Sequence, residues 1–451
     1  MELDIVGLVG GCSYALDCIE AELVHVTNRH GKRVAYISVC MAERLGIEGS
    51  ALQDLAICAM LHDNALTQYI SEEIQENNIP HISLGGSMQG DKNTVVEGGG
   101  MFNESEDIIN ENGMVYSPEI IKSIAGSIHK KIGLHCTYGE QNIKKLPFYT
   151  DVSGVVLYHH ENADGTGTFG KRWDEIPLFA RIIHLCDMVD IMGNSCDFSG
   201  ESWIRAKEYV CRNRNILFDS ECADAFLEVF SEENFVSMSQ DRFEDELWKK
   251  IPRDKRDCDF ETCKGIADFF AGIVDYKSEF TGKHSLGVAK KAAELAEYMG
   301  YSQADIEKFY MAGALHDIGK MAIGNEILEK PGRLTDEEFS RMKNHAGYTY
   351  MILSEVKDFD EVRDWAALHH EKLDGTGYPF GKKAEELNEP ERLMACVDIY
   401  QALTEARPYK SGMSHDKACS ILEDMVQKGW IDAAVTDKLR SCFEVGGRDM
   451  V

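Results

Sequence analysis

Two stretches of the chain carry nearly the same phrase. Tyr158-His159-His160-Glu161-Asn162-Ala163-Asp164-Gly165-Thr166-Gly167 is matched by Leu368-His369-His370-Glu371-Lys372-Leu373-Asp374-Gly375-Thr376-Gly377, and the second runs on into Tyr378-Pro379. The likeness extends to spacing. His30 to His62 and His284 to His316 are each 32 residues apart, and His135 to His159 and His345 to His369 are each 24. Agreement at two independent intervals predicts one scaffold used twice. Between those intervals the halves differ: 72 residues separate Asp63 from His135 but 28 separate Asp317 from His345, so the first half carries 44 more. The extra residues are placed at about 75–117, where Gly85-Gly86, Gly98-Gly99-Gly100 and Glu111-Asn112-Gly113 predict a long irregular loop.

The remaining pattern is helical. Ser50-Ala51-Leu52-Gln53 reads as a capping box ahead of an apolar run that ends at His62-Asp63, and Ser302-Gln303-Ala304-Asp305 takes the same place ahead of His316-Asp317. Gly319 reads as the stop of that second helix. Alternating strand patterns are nearly missing, so the expectation is an all-α fold of two tandem helical domains. Their bounds are 1–235 and 263–451, joined by a charged connector at 236–262 that contains Arg253-Asp254-Lys255-Arg256-Asp257. A length of 451 residues is ample for two full cores.

Composition narrows the partners. A formal charge of -30 with no strong basic patch argues against duplex nucleic acid, whose backbone would be repelled. A small anionic ligand stays open, because metal ions and a few cations reverse the potential inside one pocket. No apolar run approaches the ~18 residues of a membrane span, and Met1-Glu2-Leu3-Asp4 lacks the basic start of a signal peptide. The 14 cysteines are scattered, with Cys40, Cys58, Cys186 and Cys396 inside apolar stretches, as for buried reduced thiols. A cytoplasmic protein with no membrane contact is expected.

A lone His or Asp in a helical core is usually a hydrogen-bonded structural group. Seven in the same order at repeated spacings point instead to ligands. A thiolate-free set of imidazoles and carboxylates suits iron, manganese or zinc, and shared Asp residues favour a dinuclear centre over structural zinc. Two such metals serve phosphoester hydrolysis.

In the second half His284, His316-Asp317-Ile318-Gly319-Lys320, His345, His369-His370-Glu371, Asp374-Gly375-Thr376-Gly377-Tyr378-Pro379, Asp398 and Arg407-Pro408-Tyr409-Lys410 follow in an order that resembles the HD-GYP family, the HD-superfamily phosphodiesterases of cyclic dinucleotides. The resemblance covers about residues 265–425. It implies that His284, His316, Asp317 and Asp398 hold one metal, and that Asp317 bridges to a second held by His345, His369 and His370. Lys320, Arg407, Lys410 and Tyr378 would meet the substrate, with Asp317 and Lys320 closest to the chemistry, and Glu371 would orient a ligand imidazole. Some members add a third metal through a Glu four residues before the first His. Here that place holds Phe280, with Glu279 one position off, so two divalent ions, iron or manganese, are expected.

The first half offers His30, His62, Asp63, His135, His159, His160 and Asp187 at the matching positions, enough for two further ions. It lacks the cations: Leu66 stands where Lys320 does and Cys196 where Arg407 does, while Thr168-Phe169 replaces Tyr378-Pro379-Phe380 with one residue fewer. A regulatory or structural role follows for this half. Conversely, Gln401 stands where the first half has Asp190 and where the family usually has Asp. The reaction expected is hydrolysis of cyclic di-GMP or 3',3'-cyclic GMP-AMP to the linear dinucleotide, to mononucleotides or to both. Another HD-type nucleotide phosphohydrolase and a non-catalytic cyclic dinucleotide or metal receptor are the alternatives. A homodimer or a signalling protein partner is compatible with either.

Overall fold

The computed structural model describes residues 1–24, 29–65, 108–109, 115–116, 132–194, 197–240, 242–277, 284–328, 330, 332–406 and 411–445. Leu66, Cys196, Glu279, Phe280, Arg407 and Lys410 lie outside them, as does the stretch at 75–117 apart from Ile108–Ile109, paired antiparallel with Val115–Tyr116.

The fold is all-α. The principal helices of the first half are α1 (Ile5–Val24), α2 (His30–Ala42), α3 (Gly49–Met60), α4 (residues 132–143), α5 (Leu178–Asn194), α6 (Gly200–Arg212), α7 (Ser220–Val229) and α8 (Glu232–Ser237). After α9 (Arg242–Lys250) the second half runs through α10 (Phe260–Lys277), α11 (His284–Tyr298), α12 (Gln303–Leu315), α13 (Asp336–Leu353), α14 (Asp360–Ala367), α15 (Glu389–Thr404), α16 (His415–Gln427) and α17 (Ala433–Val445). In each half the helix opened by the first histidine packs on the next one and on the one that carries the later aspartate: α2 on α3 and α5, α11 on α12 and α15.

Local signals explain the boundaries unevenly. Ser302 caps α12 as expected, its hydroxyl accepting from the Asp305 N–H at 3.2 Å. Ser50 does not cap α3. That helix begins one residue earlier, with Glu48 extended at its cap and no side-chain bond there, so Ser50 already lies inside the first turn. Gly319 is not a helix stop either. Leu315 ends α12, and Gly319 sits in the 3-10 turn Ile318–Ala322, where a Cβ would come within 2.0 Å of the His345 carbonyl oxygen. Only glycine lets this turn lie against α13.

The connector at 236–262 is itself folded. Phe243 and Leu247 of α9 are buried against α2, and Arg256–Asp257 pairs antiparallel with Glu2–Leu3. One apolar core runs from Leu3 to Leu439 through both halves. Helix α1 is its hinge-pin: it packs on α2 and α3, and also on α13 and the turn carrying Lys320. A Cβ on Gly11 would meet the Ile352 carbonyl oxygen at 2.4 Å, so the backbones of the two halves approach directly. Beside them Lys32, 1% exposed, donates to Glu244 of α9 at 3.0 Å and to Glu355, beyond α13, at 2.9 Å. A buried ammonium is tolerated only with such partners.

Candidate metal centre

In the second half the ligand-type side chains come from five places. His284 opens α11, His316 and Asp317 follow α12, His345 lies within α13, His369-His370 follow α14, and Asp398 lies in α15. Packing sets their mutual positions. Phe309 of α12 stacks on Trp365 of α14 with ring centres 4.4 Å apart, a contact of ~1 kcal/mol beyond the burial of the rings, and so locks the turn carrying His369 to the one carrying His316.

The result is a buried, convergent donor set. His284, His316 and Asp398 place one donor atom each within 4.8 Å of one another, as do His316, Asp317 and His369, and His345, His369 and His370. Asp317 lies between the clusters, with Oδ2 3.2 Å from His316 Nε2 and Oδ1 3.5 Å from His345 Nε2. His316, His345 and His369 each donate Nδ1–H to the carbonyl three residues back, at 2.7, 2.7 and 2.6 Å. A carbonyl can only accept, so the tautomer is fixed and the Nε2 lone pairs face inward. Nε2 of His345 and His369, with Asp317 Oδ1, are buried without a hydrogen-bond partner. Orphaned acceptors aimed at one point are what a divalent cation satisfies, so these residues fit metal ions.

Electrostatics agree. Burial pushes His345 down to about 3, so it offers a lone pair at any ordinary pH. Burial raises the Asp317 carboxyl, but His316, Lys320 and His345 outweigh it and hold it well below the usual carboxylate range. Lys320 Nζ lies 2.5 Å from Asp317 Oδ2 and remains about one-fifth exposed, a cation at the rim of the cluster. Tyr378 stands over His370 at 4.6 Å between ring centres.

Glu371 differs from its expected role. Its carboxylate accepts from the backbone N–H groups of Phe380 at 2.7 Å, Gly381 at 3.1 Å and Lys382 at 3.0 Å, and so clamps the loop behind Tyr378 rather than an imidazole. Glu161 does the same for Phe169 and Lys171 at 2.7 and 2.6 Å. Glu405 escaped sequence reasoning: its Oε2 binds His284 Nδ1 at 3.0 Å, while His284 Nε2 lies 3.0 Å from Asp398. Burial pulls His284 down, yet the two carboxylates push it up to about 10.

The first half gathers its own set. His30 Nε2 lies 3.4 Å from Asp187, and His135 and His159 Nε2 lie 2.9 and 3.5 Å from Asp63 Oδ1. His62 and His159 again donate Nδ1–H to the carbonyl three back, at 2.8 and 2.6 Å, with buried, unpartnered Nε2 atoms. One donor is added, and one further buried imidazole stands nearby. Cys136 joins His135, His159 and His160 in one cluster, and buried His184 lies one turn before Asp187; the second half has Ala346 and Ala395 at these places.

With the scaffold and its paired His and Asp set described, comparison with known proteins places the chain. The HD domain family matches residues 127–200 and 268–435, and the chain belongs to that family, in its HD-GYP group. The chain is 32% identical over 313 residues to 3'3'-cGAMP-specific phosphodiesterase 1 of Vibrio cholerae, covering 67% of this chain and 72% of that one. It is 40% identical over 167 residues to a cyclic di-GMP phosphodiesterase of the same organism, 34% of each chain. A crystal structure of a cyclic GMP-AMP specific phosphodiesterase from V. cholerae superposes with a TM-score of 0.64 over 99% of both chains at 23% identity, which shows a shared fold. Among the described residues no helix is long and apolar enough to cross a membrane.

Proposed function

We propose that the chain is a metal-dependent cyclic dinucleotide phosphodiesterase whose active site is the cluster of residues 263–451. The observation that carries this reading is the juxtaposition of Lys320 with Asp317, at the edge of buried imidazoles whose lone pairs converge. His284, His316, Asp317 and Asp398 would hold one divalent ion and His345, His369 and His370, with Asp317 between, a second. Iron or manganese suits such donors. When bound, such ions neutralise phosphoryl charge and acidify water.

The protein's own groups supply the rest. Lys320 presents an ammonium to a non-bridging phosphate oxygen where charge builds during in-line displacement, and its place on a tight 3-10 turn keeps that charge fixed. Tyr378, held by the Glu371 clamp, forms a wall against which a base or ribose can pack. Arg407 and Lys410 would add contacts to the phosphates. Water adds to phosphorus as the P–O bond to the ribose oxygen breaks, one of its protons going to the departing ribose oxygen and the other to solvent, and the ring opens to a linear dinucleotide ending in a phosphate.

We favour 3',3'-cyclic GMP-AMP over cyclic di-GMP, because the similarity to the cGAMP-specific relative extends over two thirds of the chain and that to the cyclic di-GMP enzyme over one third. The first half serves as a metal-holding regulatory or structural partner. Manganese-loaded protein incubated separately with 3',3'-cyclic GMP-AMP, cyclic di-GMP and cyclic di-AMP, with products separated by chromatography, tests the reading. Preferred turnover of the first is expected; no turnover at full metal occupancy refutes catalysis and leaves a receptor.

A further inference from the structure

We infer that Glu405 is a positioning residue for His284, a carboxylate moved by one helical turn from the place where the first half carries it. The inference rests on the reading of His284 as a metal ligand. The imidazoles His62, His159, His316, His345 and His369 each take the carbonyl three residues back. His30 and His284 stand at the start of α2 and α11. Both take a carboxylate on Nδ1 instead, at 2.8 Å from Asp190 and 3.0 Å from Glu405.

The source of that carboxylate has been rebuilt between the halves. Asp190 follows Asp187 by three residues, is fully buried, and is neutralised by Arg33, whose Nε and Nη2 donate at 2.6 and 2.9 Å. Counting from His284 as Arg33 is counted from His30 reaches Gly287, and three residues after Asp398 stands Gln401. The cation and the anion are thus absent together. The Gln401 amide fills the space left by the absent side chain, since a Cβ on Gly287 would lie 2.1 Å from Gln401 Nε2. A buried carboxylate at 401 would have no counter-charge. Four residues on, the same helical face reaches the mouth of the site, where the Glu405 side chain is 12% exposed and water helps solvate it. The matching position in the first half is Asn194.

The anionic acceptor fixes the Nδ1–H tautomer, turns Nε2 toward Asp398 and strengthens it as a donor. The test titrates chelator-stripped full-length protein with Mn²⁺ and counts bound ions, comparing wild type with E405A, E405Q and G287R/Q401D/E405A, which transplants the first half's Arg–Asp pair, and H316A/D317A as the reference for loss of the centre. E405A is expected to weaken Mn²⁺ binding at the sites abolished in H316A/D317A by about 10- to 100-fold. E405Q, which keeps the shape and removes only the charge, should fall between, and G287R/Q401D/E405A should recover most of the loss. KM for the dinucleotide stays unchanged while turnover at limiting metal follows occupancy. Wild-type affinity in E405A, or a loss that the transplanted pair does not restore, overturns the inference. Should the triple variant not fold, E405Q decides: a change below about 2-fold overturns it as well. If wild type takes up no Mn²⁺ that H316A/D317A loses, the reading of the centre fails instead.

Discussion

The two donor sets arrange imidazoles and a shared aspartate in much the same way, yet they are finished differently at the edges. Around the second-half cluster stand Lys320, Tyr378 and the partly exposed Glu405; around the first-half cluster stand Cys136 and the sealed Arg33–Asp190 pair. The inner ring recurs because helix geometry dictates it: a histidine three residues after a carbonyl, with Nδ1 tied back, aims Nε2 at the centre in either half. The rim does not recur. On the proposed reading, holding metal and handling phosphate would be separable tasks, written in different residues.

The sharpest way to break this comparison is to remove each bridge in turn. H316A/D317A should abolish hydrolysis of the cyclic dinucleotide, by more than about 10³-fold, whereas H62A/D63A should leave most of it, measured as product formation at saturating metal. The reverse pattern would assign catalysis to the first half. A smaller effect is expected of K320A. Turnover should drop about 10²- to 10³-fold, the usual cost of losing one group that stabilises transition-state charge, with bound metal unchanged. Metal loss in K320A would make the lysine structural.

How far the sequence disclosed these features depends on where the causes lie. That these His and Asp side chains converge was legible because their spacing occurs twice. The cap at Ser302 was legible because it is local. Glu405 was not, since its use depends on a glycine on one helix, a glutamine on another and the packing that brings α11 onto α15. Nor was the partner of Glu371: an acidic residue beside two histidines suggests an imidazole, and only the folded loop shows the N–H groups of Phe380, Gly381 and Lys382 reaching it. Gly319 was misread for a related reason, as its need for glycine comes from α13 rather than from its own helix.

The clamps allow a third comparison. E371A strips the acceptor from three backbone N–H groups and E161A from two, so both should be destabilising, E371A more so, with ~0.5–1.5 kcal/mol for each part-buried hydrogen bond lost. Urea unfolding reads this directly, and equal losses would show that the loops are held elsewhere. The mildest effect concerns protons. In the metal-free protein His284, raised to about 10, carries a proton at neutral pH. A cation entering the second-half centre must displace it, so H62A/D63A should release about one proton per centre filled at pH 7, and affinity should rise with pH up to about 10. Calorimetry in buffers of different ionisation heat measures the release; none would mean His284 is already neutral.

Helix α1 sets how the chain can be divided. It rests Gly11 on the carbonyl of Ile352, and Lys32 spans from α2 to Glu355. A fragment cut at residue 263 would carry the whole second donor set yet lack the surface on which its lysine-bearing turn leans. It would expose a greasy strip and leave Glu355 without its ammonium. The boundary read from sequence and the molecule's mechanical seam do not coincide, so truncation at that boundary should give aggregation-prone halves rather than two modules.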